Sequence, residues 1–169
     1  LTNEPNFDSR KFPDYYNPLF REYLIKQYGN LQNINSLHGT SYASVAEITM
    51  PEGVQKTAIF YDWICFNEDI FTEWHSWLAS EVKKYTDKPI HSKIMSNIVH
   101  DESDDRKPLL WGTDAEKFAE FCDYSGNDSW SNVDFKESLV TKMMWYDYLS
   151  TVTGKPIYNS EDHMISDAD

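Results

Sequence analysis

The sequence has little that would serve metal, nucleic-acid or membrane chemistry. Its only two cysteines, Cys65 and Cys122, have no metal-ligand spacing and indicate neither a zinc site nor a disulfide framework. Lysine and arginine number 15 against 28 aspartates and glutamates, and the net charge of −13 argues against nucleic acid and against an anionic membrane surface. No apolar stretch is long enough to span a bilayer. No glycine-rich phosphate loop follows a predicted strand, and no cofactor is indicated.

Aromatic residues, by contrast, are abundant. Six Trp, eleven Tyr and nine Phe make up 15% of the 169 residues, which predict a single globular domain. Such rings belong either to the core or to a site for a ligand with apolar ring faces, and a neutral sugar is compatible with the acidic charge. Because the chain begins at Leu1 rather than at a methionine, its localisation stays open between secreted or periplasmic and cytoplasmic.

Helical and strand patterns alternate along the chain. Capping and apolar spacing predict helices from an Asn17 N-cap to Gly29, over 31–37, over 67–86 with Asn67 as N-cap, over 114–121, and over 135–152 before Gly154. The apolar stripe of the third helix is predicted as Ile70, Phe71, Trp74, Trp77, Leu78, Val82 and Tyr85. Short strands are predicted over 90–95, 122–125 and 155–160, and residues 40–62 are predicted to be an irregular excursion.

The predicted strands begin at intervals of about 30 residues, which is the length of one βα unit. Strand, helix and strand in that order imply parallel strands joined by right-handed crossovers. The interval alone does not distinguish an open doubly wound sheet from a closed barrel.

Two glutamates are predicted to follow strands. Glu4 lies in the segment Leu1-Thr2-Asn3-Glu4-Pro5, in which Pro5 restricts the backbone after the carboxylate. Glu161 follows the predicted strand over 155–160, beside His163. Taken singly, each could instead be a turn or capping residue. Taken together they are two carboxylates at the carboxyl ends of strands, where a barrel carries its catalytic groups.

This pairing resembles the retaining glycoside hydrolases of clan A, which carry the acid/base after an Asn at the end of strand four and the nucleophile at the end of strand seven. The resemblance is closest to the β-galactosidase-like enzymes of family 42. It extends over segments 20–31 and 37–40, Pro51 and the passage Phe71-Thr72-Glu73-Trp74. The resemblance implies an α/β fold that is part of a (β/α)8 TIM barrel, from the end of strand four through strand seven.

The resemblance also implies roles for individual residues. Glu161 is expected to be the nucleophile and Glu4 the acid/base, with the two carboxyl groups about 5–5.5 Å apart as in other retaining enzymes. Asn3 is expected to hydrogen-bond the sugar's 2-hydroxyl. The substrate is then a carbohydrate, with galactosides the first choice.

Four further positions have open interpretations. Trp130, placed in a loop after the second predicted strand, is either a stacking platform for sugar or a ring that anchors the loop. Asp128 and His163 either bind sugar hydroxyls or orient the catalytic pair. His91 faces either the barrel or the helix layer. The acidic run 101–105 lacks the spacing of an EF-hand loop and is predicted to be a solvated loop rather than a calcium site.

A (β/α)8 barrel needs eight strands and typically about 250 residues. The chain is therefore expected to be the C-terminal part of one barrel domain that needs the remaining strands, from the same protein or a second chain. A homo-oligomer is compatible with this. Two functions remain: a retaining β-glycosidase, or a catalytically silent carbohydrate-binding or assembly module with the same architecture. The presence of both glutamates favours the enzyme.

Overall fold

The structure, a computed structural model, describes residue 2 and residues 5–95, 111–130 and 135–163. Internal contacts divide the chain into two compact units, Phe7–Ile70 and a larger one made of Leu1–Asn6 with Phe71–Asp169. The elements in order are short 3-10 helices at Ser9–Lys11 and Val45–Glu47, helices α1 (Pro13–Tyr28), α2 (Leu31–His38), α3 (Ala58–Lys83), α4 (Ala115–Ala119) and α5 (Phe135–Thr153), and strands β1 (Lys93–Met95), β2 (Ser125–Trp130) and β3 (Ile157–His163). None of the described helices is long and apolar enough to cross a membrane.

Helix α1 begins at Pro13, so the predicted start at Asn17 is wrong. Proline is well suited to the first helical position because its φ is already helical and its missing N–H is not needed there. Asn17 lies inside the helix and its side chain does not cap it. Its Oδ1 instead accepts a hydrogen bond of 2.8 Å from the backbone N–H of Met50. The cap-forming side chain is therefore used for a tertiary contact.

Helix α3 likewise begins before its predicted N-cap, at Ala58 rather than Asn67. Asn67 is 1% exposed, and its amide bonds the backbone of the segment before α1. Its Oδ1 accepts from Ser9 N at 2.8 Å, and its Nδ2 donates to Phe7 O at 2.7 Å. Because Asn67 lies well inside α3, the backbone N–H groups that it would cap already belong to the helix, and its side chain makes a tertiary contact instead. The prediction of α2, closed by Gly39 at φ 65°, is confirmed.

The smaller unit also contains a buried carboxylate. Asp62 accepts hydrogen bonds of 2.8 and 3.0 Å from the Tyr28 hydroxyl and lies 2.7 Å from His38 Nε2. Burial, together with the hydrogen bond to Asp62, raises the pKa of Tyr28 to about 12. These side chains tie α1 and α2 to the first half of α3.

The larger unit contains a parallel sheet in the order β1-β2-β3, as the sequence predicted. Lys93, Ile94 and Met95 pair with Gly126, Asn127 and Asp128. On the other edge of β2, residues 125–127 pair with 157–159, whereas Asp128, Ser129 and Trp130 pair with Glu161, Asp162 and His163. Strand β3 therefore has one extra residue, Ser160, at a register shift between these two groups.

The strand limits differ from the prediction for identifiable reasons. Strand β1 begins at Lys93, three residues later than predicted, because the backbone N–H of Ile90 donates a hydrogen bond of 2.7 Å to Asp123 Oδ2 rather than to a neighbouring strand. Strand β2 was predicted over 122–125, but the N–H of Cys122 donates to Phe118 O and so completes the last turn of α4. Strand β2 begins instead at Ser125 and includes Trp130. The prediction that Trp130 lies in a loop after the strand is therefore wrong.

The helices cover one face of the sheet. Ile94 packs there with Phe118 of α4 and with Trp145 and Leu149 of α5, all at most 4% exposed. Helix α5 ends as predicted, before Gly154 at φ 60°. The predicted stripe of α3 is partly wrong, because Trp74, Trp77 and Tyr85 are 47%, 56% and 88% exposed. Phe71 and Val82 pack against the core as predicted, and positions 75 and 79 between them are buried.

Gly126 is required by the close approach of β1 and β2. A Cβ atom at this position would meet the Ser92 carbonyl oxygen and lie 2.6 Å from His91 Nδ1. We expect Gly126→Ala to lower the free energy of unfolding by about 1–3 kcal/mol, because backbone atoms must move to admit the methyl group. Denaturant unfolding of the protein that contains the chain measures this.

Ser125→Ala is the matched control for that substitution. Ser125 is the preceding residue of the same strand and is 5% exposed. Within the part of the chain that the structure describes, its hydroxyl has no hydrogen-bond partner. Removal of this hydroxyl adds no atom, so it is expected to change the free energy of unfolding by less than about 0.5 kcal/mol. Equal stability of the two variants would contradict the steric argument.

Candidate active site

The carboxyl ends of the three strands lie at one edge of the sheet because the strands are parallel. In (β/α)8 barrels the corresponding edge carries the catalytic residues. Strands β1, β2 and β3 end at Met95, Trp130 and His163, respectively. Four of the six residues predicted for the site lie on these strand ends, namely Asp128, Trp130, Glu161 and His163.

The register brings these four residues together as two facing pairs. Asp128 is the partner of Glu161, and Trp130 is the partner of His163. Partners on adjacent strands have backbones about 4.8 Å apart. The extra residue, Ser160, is what places Glu161 rather than its predecessor opposite Asp128. The structure describes the backbone at these positions, so the roles of the side chains stay a prediction.

The other two predicted residues, Asn3 and Glu4, lie outside the described residues. Thr2, which precedes them, is described. Its carbonyl oxygen accepts a hydrogen bond of 3.3 Å from Lys93 N. Thr2 therefore lies beside β1, on the edge away from β2.

The face of the sheet opposite the helices carries a buried lysine. Because Ile94 packs against the helices and side chains alternate along a strand, Lys93 belongs to the other face. Its register partners there are Gly126 and, on β3, Tyr158. Lys93 is 2% exposed. This lysine was not among the residues predicted for the site.

A buried histidine on α3 was also missed. His75 is 0% exposed, and its Nε2 lies 3.0 Å from Thr2 Oγ1. Its Nδ1 lies 2.8 Å from the Phe71 carbonyl oxygen. The signal in the sequence was the spacing of Phe71, His75 and Ala79, which places all three on one helical face.

His91, whose orientation the sequence left open, packs against Tyr158 with ring centroids 5.6 Å apart. Burial lowers the pKa of His91. Both rings line a cavity of about 450 Å³ together with Pro89, Tyr124, Pro156 and Ile157. These residues precede or begin the strands, so the cavity lies at the opposite end of the sheet from the candidate site. Among the residues that the structure describes, no group of three or more His, Cys, Asp or Glu side chains could hold a metal ion.

The chain is similar in sequence and in structure to known proteins. The family model Glyco_hydro_42, described as beta-galactosidase, matches residues 1–164. No curated protein matches the chain. An apo exo-carrageenase GH42 from Bacteroides ovatus is similar in structure, with 29% identity and a TM-score of 0.74. The similarity covers 98% of this chain and 26% of that one, so the chain spans about a quarter of the exo-carrageenase.

Two more distant structures share the fold. The catalytic domain of a β-amylase from Paenibacillus polymyxa is 14% identical with a TM-score of 0.66, over 89% of this chain and 42% of that one. The agarase AgWH50C is 17% identical with a TM-score of 0.60, over 87% and 19%. Together with the parallel sheet, the comparisons confirm the predicted fold, an incomplete (β/α)8 barrel.

Proposed function

The chain belongs to glycoside hydrolase family 42, and from this membership we propose that it supplies both catalytic carboxylates of a retaining β-galactosidase-like enzyme. Glu161 is the nucleophile and Glu4 the acid/base. The observation that carries the proposal is the register of β3, which aligns Glu161 with Asp128 at the carboxyl ends of adjacent parallel strands. The family match also extends over both glutamates.

The reaction proceeds in two displacements. A carboxylate oxygen of Glu161 attacks the anomeric carbon while the glycosidic bond breaks and the Glu4 proton passes to the departing oxygen. Water then attacks the same carbon from the opposite face, gives its proton to Glu4 and releases the Glu161 carboxylate. The two inversions together retain the β configuration. Glu161 must start ionised and Glu4 protonated, and the negative charge of one carboxylate disfavours the ionised form of a neighbouring carboxyl group.

Four neighbours take the sugar-binding roles. Asn3 donates to the 2-hydroxyl, a contact that strengthens in the transition state. Trp130 provides a flat apolar surface for the sugar ring, and Asp128 and His163 bind its hydroxyls. The pairing of Asp128 with Glu161 and of Trp130 with His163 supports one shared binding site. The substrate class is β-galactosides, and the exo-carrageenase makes carrageenan oligosaccharides a second class to assay.

The enzyme also needs the rest of its barrel. The chain holds the segment from the end of the fourth barrel strand through the seventh, as the C-terminal part of one barrel domain. The remaining strands come from the same protein or from a second chain, and we refer to this chain together with them as the complete barrel. The 26% coverage of the exo-carrageenase supports this view.

Trapping of the glycosyl-enzyme tests the proposal. We expect 2,4-dinitrophenyl 2-deoxy-2-fluoro-β-galactoside to inactivate the complete barrel with time. Fluorine at C2 slows both displacements, and the dinitrophenyl leaving group offsets this in the first displacement only, so the glycosyl-enzyme accumulates. Peptide mass mapping is expected to find one fluorogalactosyl group, attached to Glu161. An adduct on any other residue would contradict the assignment of the nucleophile. Rapid hydrolysis of unmodified galactosides with inverted product would contradict the retaining mechanism.

A further inference from the structure

Thr2 is held by three contacts from two other elements of its unit. Its carbonyl oxygen accepts from the backbone N–H of Lys93 at 3.3 Å. Its hydroxyl lies 3.0 Å from His75 Nε2 and 3.5 Å from Ser92 Oγ. The first contact joins the backbone of Thr2 to the first residue of β1. The contact with His75 ties Thr2 to the helix layer, and it is the shorter of the two that involve the hydroxyl.

The protonation of His75 follows from its partners. Its Nδ1 lies 2.8 Å from the Phe71 carbonyl oxygen, which can only accept, so Nδ1 carries the hydrogen. Burial lowers the pKa of His75, which opposes a second proton on the ring. Nε2 therefore offers a lone pair, and the Thr2 hydroxyl donates to it. The hydrogen bond has a defined direction.

The His75 ring is also fixed by its neighbours. It packs edge-on against Phe71 and Trp74, with ring centroids 4.4 and 4.8 Å away. Phe118 of α4 lies 4.8 Å away on a third side. A buried ring that is held by a backbone carbonyl and three aromatic side chains has little freedom to follow Thr2. Thr2 must instead adopt the position that the ring dictates.

This matters because Thr2 precedes Glu4 by two residues, or about 7 Å of extended chain. A general acid must come within about 2.6–3.2 Å of the oxygen that it protonates. A displacement of about 1 Å in such a group can reduce the rate 100-fold. An anchor so close in sequence therefore has a direct influence on where the acid/base stands.

We propose that His75 is a positioning residue for catalysis: by accepting the Thr2 hydroxyl hydrogen bond, it fixes the backbone two residues before Glu4. The inference rests on the proposed role of Glu4 as acid/base. His75 itself touches no substrate, and its influence passes through Thr2. Simple core packing would not require a directed hydrogen bond to Thr2, two residues before Glu4.

The test uses the complete barrel and two aryl β-galactosides. The 2,4-dinitrophenolate group departs without protonation, whereas 4-methylphenolate needs the acid. Thr2→Val keeps the shape of the side chain but removes the hydroxyl. It is expected to lower kcat/KM for the 4-methylphenyl substrate about 10- to 100-fold and to leave the dinitrophenyl substrate within about 3-fold. Thr2→Ser, the matched control, is expected to keep both values near wild type. Equal losses on both substrates, or none, would overturn the proposal.

His75→Gln gives an independent measurement, because its amide oxygen can occupy the place of Nε2 and accept from Thr2. It is expected to retain more of the 4-methylphenyl activity than His75→Phe, which lacks any acceptor. If neither variant folds, the Thr2→Val result decides alone.

The Glu4→Ala variant separates the hypothesis that Glu4 is the acid/base from the hypothesis that His75 positions it. If Glu4→Ala shows no leaving-group dependence, the acid/base assignment fails, and the role of His75 fails with it. If Glu4→Ala shows it and Thr2→Val does not, only the role of His75 fails.

Discussion

Replacing Glu161 by Gln is expected to lower kcat/KM of the complete barrel for aryl β-galactosides by at least about 10⁴-fold. The amide is nearly isosteric but is a poor nucleophile, so the covalent intermediate does not form. Because β3 keeps its backbone pairing with β2, the variant is expected to fold and to bind galactosides. Steady-state kinetics with dinitrophenyl galactoside, together with a binding measurement by calorimetry, separate lost chemistry from lost binding.

Asp162→Asn is the matched control. Asp162 is the next residue of β3 and pairs with Ser129, whereas Glu161 pairs with Asp128. Its replacement removes the same charge from the same strand and is expected to change kcat/KM by less than about 10-fold. A second measurement identifies the role: Glu161→Ala with added azide is expected to yield the α-galactosyl azide. Wild-type activity in Glu161→Gln, or the β-azide from Glu161→Ala, would contradict the assignment.

Replacing Glu4 by Ala is expected to have the second largest effect. General acid catalysis contributes about 10²–10⁴-fold, so galactosides with poor leaving groups should lose activity by that factor. Dinitrophenyl galactoside needs no acid in the first step, so its intermediate should form and then accumulate. Azide, which requires no general base, is expected to restore turnover and to give the β-galactosyl azide.

Glu22→Ala, at an exposed position of α1, is the control and is expected to be neutral. A pH profile adds a further check. Wild type is expected to lose activity at high pH as Glu4 ionises, and Glu4→Ala is expected to lose this alkaline limb. An alkaline limb that persists unchanged in the variant would show that another group is the acid.

Some of the fold could be predicted because the local signals agree with the tertiary structure. Gly39 follows α2 and Gly154 follows α5, as glycine after an apolar helical pattern indicates. The start of α3 could not be predicted, since Asn67 is a good N-cap residue in isolation. Its side chain is instead bound to the backbone of residues 7 and 9, a contact far apart in sequence.

The candidate site, like the fold, could be predicted from the sequence only in part. The sequence placed Glu161 near a strand end, and the family resemblance supplied its role. The pairing of Asp128 with Glu161 depends on an extra residue in β3, and no local signal marks Ser160 as that residue. His75 was not predicted to be buried, because the neighbouring Trp74 was placed in the apolar stripe instead. Phe71 and Val82 of the predicted stripe pack against the core, whereas Trp74 and Trp77 are exposed.

The extra residue in β3 determines on which face of the sheet the side chains of the following residues lie. Side chains alternate between the two faces of a strand, so the loss or gain of one residue reverses every position beyond it. The register shift counteracts this alternation: Asn159 pairs with Asn127 and Glu161 with Asp128, so two steps along β3 correspond to one step along β2. Without the shift, Ser160 would lie opposite Asp128, and Glu161 would lie opposite Ser129 on the other face of the sheet. The predicted site therefore depends on one irregularity of the backbone, which the residue types alone do not record.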